Sequence, residues 1–307
     1  MSQSRGEQNN AQPSLWNKLA NPYLMLALAG LFWSGNHIAG KAAAGYAPPV
    51  SMAGIRWLIG ALILWPFVHR HVRNDWPAIR SHWREILFLI VIGGAFFSAI
   101  QYQALNYTTA LNASIFNSFA PVIIGAAGAL LFRDRFTILQ TLGIAVSFSG
   151  VMAIVSRGEL SVLRAMSFNY GDVLLLINMA CWAVYCACLR LLPKLHPLTF
   201  TFLLGLLTGI LLIPGYVWEY SQGLYFVPAW RTVIVMAYVS IFPAVLAYIC
   251  WNEGIRQVGA ARGGAFLHLI PVYGAVLATS LLGEQLKLFH IIGCAMILGG
   301  VYLAARK

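Results

Sequence analysis

Apolar residues occur along this chain in runs of about 20, separated by short polar or charged segments. A helix of that length crosses the roughly 30 Å hydrocarbon layer of a bilayer. Prolines, glycines and clustered arginines mark the breaks between the runs. The pattern predicts ten transmembrane helices, numbered 1 to 10, at residues 23–44, 49–69, 85–106, 110–132, 136–156, 170–192, 197–219, 229–254, 259–282 and 286–305.

The second half of the chain repeats the first at an offset of about 150 residues. Residues 111–157 align without a gap on 261–307, and the first helices of the two halves align with a shift of one residue. Each half holds five predicted helices, an odd number, so the second half enters the membrane from the opposite side and the repeat is inverted. The aligned pairs include Pro121 with Pro271, Asp134 with Glu284, Gly143 with Gly293, Gly150 with Gly300, Trp33 with Trp182 and Lys41 with Arg190.

Composition places the chain among polytopic membrane proteins. It is 60% hydrophobic and only 9% charged, with a mean hydropathy of +0.74. The net charge of +11 does not indicate nucleic-acid binding, because the basic residues lie at the ends of apolar runs and form no dense tract. The five cysteines lie inside apolar segments without a CxxC motif, so we expect neither disulfides nor a metal site, and no cofactor.

The distribution of Lys and Arg predicts the orientation. Most of them fall on one side of the membrane when both termini are placed in the cytoplasm, as the positive-inside rule requires. Residues 1–21 are rich in Ser, Gln and Asn and predict a disordered cytoplasmic lead-in. We expect a first repeat at 22–157 and a second at 158–307. The protein is expected to be a multi-pass protein of a bacterial inner membrane, as a monomer or a homodimer.

The repeated motifs resemble those of a known family. Pro121, the Arg133–Arg135 cluster with its central Asp134, Gly143 and Gly150 return as Pro271, residues 283–285, Gly293 and Gly300. This proline, acidic loop and double-glycine pattern is similar to that of ten-helix transporters of the drug/metabolite transporter superfamily, built from two EamA-type repeats. Within that superfamily the chain most resembles the YddG-type exporters of aromatic and other neutral amino acids.

The resemblance implies a central cavity lined chiefly by helices 1, 3, 4, 6, 8 and 9, with the other helices packed around it. Polar and aromatic stripes on these helices agree, because lipid does not favour such side chains at mid-membrane. The resemblance implies no other partner than a small-molecule substrate and the lipid bilayer. The expected wall residues are Trp33, Asn36 and His37 of helix 1, Gln101 and Tyr102 of helix 3, Asn117 of helix 4, Trp182 and Tyr185 of helix 6, Tyr248, Trp251 and Asn252 of helix 8, and His268 of helix 9.

Such a wall suits a ligand with an apolar or aromatic side chain, held at its polar end by amides and hydroxyls. Strongly anionic substrates would require several buried cations, and only Arg56 and Lys41 are candidates. Packing remains an alternative explanation for the tryptophans, the amides and the two histidines. Pro121 and Pro271 are expected to kink their helices and to provide hinges.

These features predict a secondary transporter that exports neutral and aromatic amino acids by alternating access. Since the acidic residues fall at helix ends or in loops, we expect no ion coupling. A drug or other small-metabolite exporter of the same fold is the alternative. An enzyme is disfavoured because the sequence contains no recognisable catalytic motif. A channel is disfavoured because the sequence shows no pattern that would form a ring of like charges.

Overall fold

The computed structural model describes residues 21–43, 46–105, 107–108, 116–164, 169–227, 229–282 and 287–306. Within these ranges the chain forms helices and turns and contains no strand. Ten helices follow the ten predicted spans in order, and a short helix, Leu160–Arg164, lies between the fifth and the sixth. The unbroken ones are α1 (Pro22–Ala43), α2 (Pro49–Ser81), α4 (Ala120–Phe132), α5 (Ile138–Val155) and α10 (Leu288–Ala305).

The other five helices contain an irregular turn or change of winding. In α3, Trp83–Ile90 and Phe97–Leu105 are joined by a π-helical turn, Val91–Phe96. The same arrangement recurs in α8, where Ser240–Leu246 joins Trp230–Val239 to Ala247–Val258. The remaining three are α6 (Tyr170–Cys188, then a 3₁₀ turn Leu189–Leu191), α7 (Pro197–Leu211 and Ile213–Ser221) and α9 (Ala260–Gly264, a 3₁₀ turn Ala265–His268, and Leu269–Leu282).

The described helices have the length and surface of membrane spans. Eight of them are long and apolar enough to cross a bilayer, and Ala120–Phe132 is a shorter apolar helix. Large apolar side chains remain exposed on their outer faces; Leu130 is 84% exposed and Ile138 is 79% exposed. In water such surface would be costly, but hydrocarbon covers it. The all-helical, ten-helix membrane fold predicted from the apolar runs is therefore confirmed.

One predicted boundary is wrong. The sequence places the end of the second helix near residue 69, at the start of an arginine-rich stretch, but α2 continues as a single helix to Ser81. Two prolines, Pro66 and Pro77, lie inside it. Each proline removes one backbone hydrogen bond without ending the helix, and charged residues are compatible with a helix that continues beyond the bilayer into water. The start of α4 cannot be compared with its prediction, because residues 109–115 lie outside the described ranges.

Helices α5 and α10 cross through the glycines that the repeat alignment paired. A Cβ at Gly143 would lie 2.5 Å from the carbonyl oxygen of Gly300, and one at Gly150 would lie 2.6 Å from that of Gly293. Because Gly143 corresponds to Gly293 and Gly150 to Gly300, the contacts are exchanged by a two-fold rotation, as expected for an inverted repeat. The absence of side chains at these glycines allows this close backbone approach.

Central helices of each half pack on helices of the other half. Helix α1 of the first half packs on α8 and α9 of the second, and α6 of the second half packs on α3 and α4 of the first. The start of α1 and the end of α10 lie at the same face of the bundle, where the Tyr23 hydroxyl donates to the carbonyl of Ala305 at 3.2 Å. We call this the N-terminal face and the other the opposite face. Because helices of opposite halves pack on each other, the centre of the molecule lies at the contact between the repeats.

Candidate functional site

The two π-helical turns occupy equivalent positions in the inverted repeat. Val91–Phe96 in α3 and Ser240–Leu246 in α8 lie about 150 residues apart, and Gly93 corresponds to Pro243. A π turn widens the helix and releases backbone carbonyls from the regular hydrogen-bond ladder, and such turns are frequent at functional sites. The carbonyls at both positions accept hydrogen bonds from aromatic side chains of the other half.

Those two hydrogen bonds cross the contact between the repeats. The Trp33 Nε1–H of α1 donates to the Pro243 carbonyl at 3.2 Å, and the Tyr248 hydroxyl of α8 donates to the Gly93 carbonyl at 3.2 Å. We call them the two π-turn hydrogen bonds. The acceptors are equivalent under the repeat, but the donors are not, since the residue aligned with Trp33 is Trp182. The two bonds tie the halves together at the centre of the bundle.

A cluster of aromatic rings surrounds these bonds. The Trp33 ring centroid lies 5.5 Å from that of Trp182 and 5.2 Å from that of Trp251, and Tyr248 lies 5.8 Å from Trp182. Edge-to-face and tilted contacts of this kind suit the quadrupoles of aromatic rings. The aromatic cluster consists of Trp33, Trp57, Phe97, Trp182, Tyr185, Tyr248 and Trp251.

Sequence reasoning missed two members of the cluster. Trp57 of α2 packs 4.8 Å from Tyr248, and its Nε1–H donates to the Ser98 hydroxyl at 3.2 Å. Phe97 lies 4.7 Å from Trp182. The family resemblance placed helix 2 outside the cavity wall, yet Trp57 is only 1% exposed at the centre of the bundle. A tryptophan in the middle of an apolar span, away from both membrane interfaces, was the available signal.

Two asparagine side chains beside the aromatic cluster, Asn178 and Asn252, each leave one polar amide atom without a hydrogen bond. Asn252 accepts the Tyr185 hydroxyl at 2.6 Å through Oδ1, and Asn178 donates to the Phe97 carbonyl at 2.6 Å through Nδ2. The remaining amide atoms, Asn252 Nδ2 and Asn178 Oδ1, are buried without a hydrogen-bond partner among the described residues, as are Asn36 Oδ1 and Asn117 Oδ1. Buried polar atoms are normally paired, so each is a candidate contact for a bound polar group.

His268 links three helices and is fully hydrogen-bonded. Its Nε2–H donates to the carbonyl of Ser118 at 2.8 Å. Its Nδ1 lies 2.6 Å from the Ser147 hydroxyl oxygen. Ser118 is the residue aligned with His268 in the repeat, so this contact lies on the two-fold axis. The arrangement is that of a core histidine joining α9, α5 and the helical turn at 116–118.

The two predicted hinge prolines occupy similar places. Pro121 lies in the first turn of α4, directly after a turn at Phe119. Pro271 is the third residue of Leu269–Leu282, directly after the 3₁₀ turn of α9. A proline in the first turn of a helix loses no intrahelical hydrogen bond. Each proline therefore begins a regular helix after an irregular turn.

The structure brings seven of the twelve predicted wall residues into one region. Trp33, Trp182, Tyr185, Tyr248 and Trp251 belong to the aromatic cluster, Asn252 bonds to it, and Asn36 lies one turn beyond Trp33. Gln101 lies one turn beyond Phe97 and is half-buried. Asn117 and His268 lie around Ser118, away from the rings. The side chains of His37 and Tyr102 lie outside the described part of the structure.

The cluster is packed closed in this state. Centroid separations of 4.7 to 6.4 Å put the rings in mutual contact and leave no space for another ring between them. Near the N-terminal face a cavity of about 10 Å³ beside Asn252 is too small for an organic ligand.

Comparisons with known proteins agree with this architecture. The model of the EamA-like transporter family matches residues 21–156 and again residues 169–306. An uncharacterized transporter of Archaeoglobus fulgidus is 31% identical over 289 residues, covering 93% of this chain and 97% of that protein. The uncharacterized transporter YyaM of Bacillus subtilis is 27% identical over 297 residues, covering 94% of each.

A solved crystal structure shares the fold, with a TM-score of 0.73 and 19% sequence identity over 92% of this chain and 96% of that chain. The two family matches fall on the two five-helix halves, as the repeat alignment and the crossing of α5 and α10 require. The chain therefore belongs to the EamA-like transporter family and is a membrane transporter.

Proposed function

We propose that this transporter exports neutral amino acids, aromatic ones among them, across a bacterial inner membrane by alternating access. The observation that carries the proposal is the aromatic cluster at the contact between the repeats, with unpaired amide atoms at its edge. Rings can stack on an apolar or aromatic side chain, and amides can pair with the polar end of an amino acid. A relative in Escherichia coli, 23% identical over 272 residues, is described as an inner membrane transporter.

Transport is proposed to run down the substrate gradient without ion coupling. The described carboxylates lie near helix ends or in loops, apart from Asp75, which lies in the part of α2 beyond its predicted span. Glu219, for example, accepts the backbone N–H groups of Val50 and Ser51 at the start of α2. Proton-coupled carriers generally hold an acidic residue deep in the bundle. Pro121 and Pro271, which begin regular helices after irregular turns, are proposed as the hinges of the movement.

The direct test is counterflow in proteoliposomes with radiolabelled phenylalanine, leucine and a set of cationic drugs, with and without a pH gradient. We expect exchange of the two amino acids that does not depend on the gradient. Exchange of the drugs alone would favour a drug exporter of the same fold. Uphill amino acid accumulation driven by a proton gradient would contradict the uncoupled mechanism.

Trp182→Ala tests the aromatic cluster as the substrate site. Losing a ring that stacks on the substrate costs about 1 kcal/mol or more, so we expect phenylalanine exchange to fall roughly tenfold. Trp65→Ala is the matched control, because Trp65 is 51% exposed on the outer surface of α2. Equal losses in both variants, at equal expression, would argue against a substrate role for Trp182.

A further inference from the structure

Arg56 is a cation buried within a membrane-spanning helix. It lies in the second turn of α2 and is only 6% exposed. Charged residues within membrane spans are costly and rare, and they generally face the interior of the bundle and mark a substrate pathway. The function proposed above gives this charge no role. The buried position of Arg56 within a membrane-spanning helix indicates that this residue has a role in transport.

The neighbours of Arg56 on α2 show where it faces. One turn before it, Met52 packs against Val235 and Val239 of α8. One turn after it, a Cβ at Gly60 would lie 3.2 Å from the carbonyl oxygen of Ser240, the first residue of the α8 π turn. Residues four apart share a helix face. Arg56 therefore lies on the face of α2 that packs on α8, at the level where the π turn begins.

Arg56 is also next to the aromatic cluster. Its guanidinium carbon lies 5.8 Å from the centroid of the Trp57 ring, within the range of a cation–π contact. Trp57 in turn packs 4.8 Å from Tyr248, which donates one of the two π-turn hydrogen bonds. The Arg56 guanidinium therefore lies at the edge of the aromatic cluster, on the side nearer to the opposite face, at which α2 begins.

A guanidinium at this place matches a carboxylate. Arginine carries five N–H donors in a planar fork, so it can keep a contact within the protein and still offer two parallel donors to a ligand. A carboxylate ligand would place its negative charge against two of these donors while its side chain reaches the rings.

We propose that Arg56 binds the carboxylate of the transported amino acid while the aromatic cluster receives its side chain. The inference rests on the proposed function and deepens it, because it assigns the feature that separates amino acids from amines and uncharged drugs. It defines the substrate class as compounds that carry one carboxylate beside an apolar or aromatic group.

The test compares ligands that differ only at the carboxyl group. Phenylalanine and phenylalaninamide are titrated against the purified protein, and binding is followed by tryptophan fluorescence. The wild type should bind phenylalanine more tightly. In Arg56→Gln the dissociation constant for phenylalanine should rise about tenfold to hundredfold, as expected for a lost charge-assisted pair, and that for the amide should change little. Arg56→Lys keeps the charge without the fork and should retain a weaker preference for the acid.

Arg256→Gln is the matched control, because this arginine pairs with Glu253 at the N-terminal face and away from the rings. It should leave the ratio between acid and amide unchanged. Equal weakening of both ligands in Arg56→Gln, or a ratio that Arg56→Gln and Arg56→Lys leave at the wild-type value, would overturn the assignment. Counterflow measured on the same preparations separates the two proposals: binding with an Arg56-dependent ratio but no exchange contradicts the export function alone.

Discussion

At the residue scale, the central aromatic side chains combine packing with a directed hydrogen bond. The indole of Trp33 and the phenol of Tyr248 each bury a large apolar ring and place one donor on a π-turn carbonyl of the other half. Buried tryptophan and tyrosine usually find such a partner for their polar end. Because the same residues hold the rings together and join the repeats, the proposed transport cycle links substrate entry to separation of the halves.

Trp33→Phe and Tyr248→Phe each keep a ring but remove one π-turn hydrogen bond. A hydrogen bond of this kind contributes about 1 kcal/mol, so both variants should fold. Amide hydrogen exchange should speed up at residues 240–246 in Trp33→Phe and at 91–96 in Tyr248→Phe. Tyr238→Phe is the control, because Tyr238 donates to the carbonyl of Phe32 in a regular helix. Exchange that changes in both segments for either variant would show that the two bonds do not act locally.

Part of the aromatic cluster can be predicted from the sequence. Mid-span position and the repeat alignment single out Trp33 and Trp182, and polarity singles out Asn252. For Trp57 the sequence offers only the mid-span position, and for Phe97 it offers no signal, because the inclusion of both residues depends on the rotation of α2 and α3 about their axes. Nor could it supply the π turns. Gly93, Gly94 and Pro243 allow such a turn, but the bonds that occupy the freed carbonyls come from distant residues.

At the element scale, glycines set how closely helices approach. Along α5 and α10, at four places, the carbonyl oxygen of one glycine lies close to the position that a Cβ on another glycine would occupy. Without a hydrophobic drive between helices in lipid, such close packing is a main source of association. The repeat alignment singles out these four glycines, but their contacts join Gly143 to Gly300 and Gly150 to Gly293, which are not the aligned pairs. It does not predict that α2 extends to Ser81, since periodicity in apolar residues ends where the helix leaves the bilayer.

Two adjacent glycines of α10 give a matched test of this packing. A Cβ at Gly300 would lie 2.5 Å from the Gly143 carbonyl oxygen and from the Ser147 nitrogen, whereas a Cβ at Gly299 meets nothing within 4 Å. Gly300→Ala should destabilise the protein by roughly 1 to 3 kcal/mol through overpacking. Gly299→Ala should be neutral or stabilising by up to about 1 kcal/mol, because alanine favours helix.

The thermal midpoints of both variants in detergent would check this expectation. Equal midpoints, or a lower one for Gly299→Ala, would mean that the crossing of α5 and α10 does not depend on the missing side chain at 300. Since residues 299 and 300 share the same helix and differ only in the face they present, a general effect of alanine on α10 is controlled.

At the scale of the whole molecule, charged contacts close the N-terminal face. Asp134, in the loop between α4 and α5, forms an ion pair with Arg190 at the end of α6, so the contact joins the first half to the second. Arg190 also lies 4.3 Å from the Phe132 ring. These contacts join the two halves at this face, as the packed aromatic cluster joins them at the centre. The proposed alternating access requires a second state in which they separate.

Asp134→Asn should favour that second state. An exposed ion pair contributes at most about 1 kcal/mol, so opening at the N-terminal face should increase roughly threefold. Cys188 is buried two residues before Arg190 and reports this opening through its rate of maleimide labelling in a protein whose other four cysteines are replaced. Labelling should be faster in Asp134→Asn and should slow again in the charge-swapped variant Asp134→Arg/Arg190→Asp, which restores the pair. Arg256→Gln breaks an ion pair within a single helix at the same face and should leave the rate unchanged. A rate equally raised in that control would mean that charge loss, rather than separation of the two halves, exposes the thiol.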